Sequence, residues 1–146
     1  MIRNFIFGYI DQKSSTTNFA LLILRLFTGL SMAIAHGFGK LPPSENFIES
    51  TGNLGFPFPF IFAWAAALSE FLGGIFITLG LFTRPASFFL GITMLTAAFL
   101  SHGGDPFSNK EKALLYLCIS VFLLLTGAGK YSVDASFEDK KPKYYV

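Results

Sequence analysis

Charge is scarce in this sequence. Lys, Arg, Asp and Glu make up 14% of the 146 residues, where an average soluble domain carries about 25%. That shortage excludes an ordinary soluble enzyme and a disordered chain. The formal net charge of +2 leaves no basic face of the kind nucleic acid requires. Cysteine is nearly absent as well. Cys118 stands alone, so an intrachain disulfide and a paired-thiol relay are both excluded, and no Cys/His cluster offers a metal cage. What the chain does have is apolar: 52% hydrophobic residues, 19 of them Phe, and a mean hydropathy of +0.54. A single all-α integral membrane domain is the class that fits.

A helix crosses the hydrocarbon core with about 20 apolar residues. Four segments qualify, at about 19–36, 60–82, 85–101 and 113–129. Leu41-Pro42-Pro43, Phe56-Pro57-Phe58-Pro59, Thr83-Arg84-Pro85 and Gly103-Gly104-Asp105-Pro106 punctuate them. No small-x-small cleavage site follows the first run, which therefore reads as a retained span and not a signal peptide. Four spans with short connections predict an antiparallel four-helix bundle. Arg3, Lys13, Arg84, Lys130, Lys140, Lys141 and Lys143 lie on the side of the termini, and Lys40, Lys110 and Lys112 on the other. The bias places both termini in the cytoplasm. Residues 135–146 read as a flexible tail. In the loop from Leu41 to Pro59, Ser44 is positioned to cap a short amphipathic helix from Glu45, ended by Gly52. That helix reads as a lid on the bundle mouth or as a docking surface.

Ionisable groups inside a span need partners. Arg25 and Glu70 fall about 9 Å and about 15–18 Å from the same membrane face by helical rise, and a bidentate pair between them is expected. Such a pair either fixes helix register or lines a site for a polar headgroup or a proton. Arg25, Gly29, Met32 and His36 share a face, with Gly29, Ala33 and Gly37 beside it. Glu70 shares its face with Ala63, Ala66, Gly73, Gly74 and Ile77. On the third span Gly91, Leu95, Ala98 and His102 form a stripe. His36, His102, Lys40, Asp105 and Tyr116 can then converge on the outer mouth. The histidines read as interfacial hydrogen-bonding residues, as proton carriers at a quinone site, or, least of the three, as haem ligands. Cys118 reads as a small packing residue.

Four short motifs carry a family likeness. Leu24-Arg25-Leu26-Phe27-Thr28-Gly29 with His36-Gly37-Phe38-Gly39-Lys40, then Glu70-Phe71-Leu72-Gly73-Gly74 with Gly80-Leu81-Phe82-Thr83-Arg84-Pro85, come in order. His102-Gly103-Gly104-Asp105-Pro106-Phe107 and Gly127-Ala128-Gly129-Lys130-Tyr131-Ser132-Val133-Asp134 follow. Together they resemble the DoxX family of small four-helix membrane proteins over residues 20–136. The resemblance implies a bacterial inner-membrane protein, with relatives tied to quinone-dependent thiosulfate oxidation or to thiol-stress oxidoreductase complexes. On that reading Glu70, His36 and His102 are the candidate proton carriers. Arg25, Glu70, His36 and Tyr116 would hold a quinone, and no metal is involved. The chain would act with a partner redox subunit or as a homo-oligomer in the lipid bilayer. The other readings are a non-catalytic scaffold or assembly subunit, and a small-molecule transporter.

Overall fold

Ser14 begins the first helix by accepting a hydrogen bond from the Thr17 amide at 3.4 Å, as N-cap serines do. In the computed structural model, which describes residues 14–137, α1 runs Ser15–Ser31. It continues without a break through a wider π segment at Met32–Gly37 and a tight 3₁₀ turn at Phe38–Lys40. A lid helix, α2 (Glu45–Asn53), follows. Ser44 caps it through the Phe47 amide at 3.3 Å, and Gly52 lies inside it. α3 (Pro59–Leu79) opens on proline at its first position, where no amide hydrogen is missed.

The chain then reverses in three residues. Gly80 takes the left-handed conformation at φ 67°. Its amide bonds to Ile77 O at 3.1 Å and the Leu81 amide bonds to Phe76 O at 2.9 Å, the paired bonds of a Schellman ending. α4 (Thr83–Thr96) continues as a second π segment, Ala97–Ser101. α5 (Phe107–Thr126) and a short α6 (Val133–Phe137) complete the described chain. Every described element is helical.

Among the described residues, three helices are long and apolar enough to cross a membrane: Ser15–Lys40, Pro59–Leu79 and Thr83–Ser101. α5 carries Lys110, Glu111 and Lys112 near its start, so its uncharged part is the shorter run from Ala113. Large apolar side chains such as Phe27, Ile34, Phe60 and Phe99 point outward, as surfaces bathed in lipid do. The core lies between α1, α3, α4 and α5 and is built on Met32, Ile77, Leu90, Met94 and Leu123.

Three expectations need correction. On α4, Met94 and Ala98 are buried and Leu95 is 48% exposed, because Thr93 turns toward Ser69 at 2.6 Å and fixes the helix's rotation. Cys118 is exposed and not part of the core. Residues 135–137 belong to α6, and the rest of the expected tail, 138–146, lies outside the described residues.

Glycines set the register of α1 on α3. A Cβ on Gly37 would lie 2.5 Å from the Phe71 backbone, and one on Gly74 would lie 2.8 Å from Ala33 N and Gly29 O. Backbones this close are what small residues at four-residue spacing permit. The end holding the α3–α4 reversal is called the turn end below, and the end holding α2 the lid end.

Candidate functional site

The register decides which charges can meet. Gly37 packs on the backbone of Glu70 and Phe71, so Glu70 lies level with residue 37. That is 12 residues beyond Arg25, about 18 Å of helix. No arginine stem spans it, and the Arg25–Glu70 pair does not form. Each group has another partner.

Glu70 is 2% exposed. Lys40, at the end of the 3₁₀ turn, places its ammonium 2.7 Å from both carboxylate oxygens. The lysine side chain is 36% exposed and its Nζ lies 5.5 Å from the centre of the Phe47 ring on the lid helix. The carboxylate is thus buried while its counter-ion reaches the lid-end surface. The chemistry available is that of an intramembrane acid whose partner sits on a flexible stem.

Arg25 is fully buried at the turn end. Its Nη1 donates to Ile77 O and Thr78 O, each at 3.3 Å, and its Nη2 donates to Tyr131 O. Ile77 and Thr78 lie in the last turn of α3, where a cation also meets the negative end of the helix dipole, and Tyr131 lies between α5 and α6. Asp134 supplies the opposing charge. Its two carboxylate oxygens accept the Phe82 amide at 2.8 Å and the Thr83 amide at 3.0 Å. Phe82 has no side-chain oxygen and adopts φ 47°, so the start of α4 takes its cap from a residue about fifty positions away. Asn18 ties the same segment to α1 by accepting the Lys130 amide at 2.7 Å.

The expected convergence at the lid end resolves into pairs. The His36 and Tyr116 rings meet edge-on, with centroids 5.6 Å apart, which joins α1 to α5. His102 Nδ1 lies 2.8 Å from Asp105 Oδ2 in the loop before α5. That bond, followed by one from Asn109, holds the Asp105 carboxyl below the usual carboxylate range. Both partners of the His102 pair are more than two-fifths exposed, which suits a loop clasp. No group of three or more His, Cys, Asp and Glu that could hold a metal occurs among the described residues.

Lys40 and Asp134 are the residues that sequence reasoning passed over as partners. Lys40 was readable from Gly37, which marks where α1 and α3 touch and so places the next cation beside Glu70. Asp134 left no such signal: the α4 start lacks a side-chain cap of its own at Phe82, but nothing near it points to residue 134. An apolar groove of about 390 Å³ lies between α3 and α4, lined by Leu68, Ser69, Leu72, Phe76, Phe82 and Phe89 among others.

The family model for DoxX matches residues 20–103. The chain belongs to the DoxX family. It is 32% identical over 122 residues to the Bacillus subtilis (strain 168) protein named "Putative oxidoreductase CatD", covering 82% of this chain and 89% of that one. It is 34% identical to the Escherichia coli (strain K12) inner membrane protein YqjF over 117 residues, 73% of this chain and 84% of that one. It is 32% identical to the E. coli (strain K12) inner membrane protein YphA over 123 residues, 78% and 87% of the two chains. No solved structure matches it. The DoxX match runs from Ala20, inside α1, to Gly103, past the end of α4, and so includes Arg25, His36, Lys40, Glu70 and His102. Tyr116 and Asp134 lie beyond it.

Proposed function

We propose that this DoxX protein is the quinone-associated subunit of a membrane oxidoreductase complex. It sits in the bacterial inner membrane as an antiparallel four-helix bundle, with α5 as the fourth span and both termini in the cytoplasm. The observation that supports this best is the buried Glu70 carboxylate, held at 2.7 Å by a lysine that is itself 36% exposed. A buried carboxylate exchanges a proton at little cost only where its counter-ion can withdraw, and the Lys40 stem can swing toward the lid end. His36, one residue before the Gly37 contact, meets Tyr116 beside that carboxylate's level. The imidazole and phenol can donate to the oxygens of a quinone headgroup. The apolar groove between α3 and α4 suits an isoprenoid tail in size and lining. A bound quinone supplies two-electron chemistry, and the protein supplies binding, orientation and proton exchange. Arg25 plays no part in this site, since its hydrogen bonds go to the turn end. The oxidoreductase name of the B. subtilis relative points the same way.

A scaffold role has its own support: the acceptors of Arg25 are backbone carbonyls that lock the turn end. One experiment separates the two. The protein is purified in native lipid and extracted with organic solvent, and Glu70→Gln is compared with wild type in the host. The redox reading expects quinone in the extract, and a variant of normal abundance that recovers its partners but has lost the redox phenotype. An extract without quinone and a variant indistinguishable from wild type would overturn it.

A further inference from the structure

Hydroxyls in membrane helices usually donate to a carbonyl one turn back, and several here do. Ser69 bonds Ala66 O, Thr78 bonds Gly74 O, Thr93 bonds Phe89 O and Thr126 bonds Phe122 O. Four others do not. Thr28, Thr83, Ser87 and Ser120 are each at most 1% exposed, and their hydroxyls make no hydrogen bond to any described residue. Arg25 Nε is buried and unpartnered in the same way.

These atoms are not scattered. Thr83 receives the Asp134 carboxylate on its amide, which puts it at the Arg25–Asp134 cluster. Ser87 is one turn further along α4, about 6 Å on. Gly91 is the next turn, and a Cβ there would lie 3.5 Å from Ser120 Cβ on α5. Tyr116 is one turn from Ser120 on the same helix, and its ring meets His36. Thr28 is one turn along α1 from Arg25. The unpartnered hydroxyls of Thr83, Ser87 and Ser120 thus succeed one another along the α4–α5 contact, a seam running from the turn end toward the His36–Tyr116 pair, with Thr28 beside Arg25 on α1.

We propose that this seam binds a file of ordered water molecules connecting Arg25 and Asp134 to Tyr116 and His36. Steps of about 6 Å are what one water with two hydrogen bonds of about 2.8 Å bridges. Each water would bridge two polar groups, the lower end of the 2–4 hydrogen bonds that buried water makes. A hydrogen-bonded file of this kind carries protons between the two ends. Water occupancy is independent of whether quinone binds, so the extraction experiment above neither supports nor sinks it.

The test is X-ray radiolytic labelling of the full chain in lipid nanodiscs, in which radicals formed from bound water oxidise adjacent side chains. The reporters are Leu90, Met94 and Leu123, which are buried beside the seam. In wild type they are expected to be modified at rates comparable with surface residues. In Ser87→Ala/Ser120→Ala their modification is expected to fall several-fold while thermal stability is maintained. Unmodified reporters in wild type, or labelling unchanged in the folded double variant, would overturn the proposal. Because the wild-type measurement decides by itself, a variant that fails to fold does not protect the idea.

Discussion

Asp134→Ala is the most informative single change at the turn end. The carboxylate accepts two amide bonds at 2.8 and 3.0 Å and faces a guanidinium with no exposed surface. Hydrogen bonds to charged groups contribute about 1.5–3 kcal/mol each. Arg25 makes its hydrogen bonds to carbonyls and has Asp134 as a nearby opposing charge, and leaving a buried charge without its opposing charge costs up to about 3–5 kcal/mol. The two figures describe overlapping losses, so about 3–5 kcal/mol is the expected destabilisation. For a chain of this size that is a fall in Tm of about 6–20 °C, at about 2–4 °C per kcal/mol. Asp134→Asn retains one acceptor oxygen and should lose about half as much. The assay is loss of helical circular dichroism on heating, in one detergent for all variants. In a cycle with Arg25→Gln, the double variant should cost less than the sum of the singles by about 0.5–3 kcal/mol. Additivity within about 0.5 kcal/mol, or an Asp134→Ala protein as stable as wild type, would refute the coupling of cap and guanidinium.

The glycine contacts give a paired prediction. Gly37→Ala places a methyl 2.5 Å from the Phe71 backbone, where neither helix can give, and should cost about 1–3 kcal/mol or more as overpacking. Gly39→Ala meets nothing within 4 Å and should stay within about 0.5 kcal/mol of wild type by the same melting assay. The loop clasp gives a pH prediction. Asp105 has a depressed folded pKa, caused first by its bond to His102 and then by Asn109. Its contribution is therefore fully present above the unfolded value, about 3.9, and fades only as pH falls through the lower folded value. Carboxyl resonances of labelled aspartate should show Asp105 titrating below the usual carboxylate range, and His102→Ala should bring its midpoint back up.

The helical class and the apolar runs were readable because hydropathy alone dictates them. So was the Ser44 cap, which depends on four neighbouring residues. The small-residue faces were also readable in outline: Gly29, Ala33 and Gly37 do meet α3. What periodicity left open was vertical register. Arg25 and Glu70 both point inward, as an inward-facing stripe requires, but they stand about 18 Å apart along α1. Only the contact of Gly37 with Glu70 and Phe71 assigns Lys40 to the carboxylate. Asp134 escaped for another reason. It follows the last apolar run, in a stretch whose charges resemble those of a solvated tail, and its partner amides sit at Phe82 and Thr83. Nothing local in a sequence marks a cap supplied from that distance.

The turn end has a consequence for how the chain is made. Arg25 leaves the ribosome 106 residues ahead of the carbonyl of Tyr131 that it bonds, and Asp134 arrives later still. Through most of translation the guanidinium has neither of them. A nascent chain stopped just short of Gly129 would already hold α1 to α5, yet would present a cation without its opposing charge to whatever surveys newly inserted proteins. Arrival of the Tyr131–Asp134 segment is thereby written into the molecule as the neutralisation of one charge.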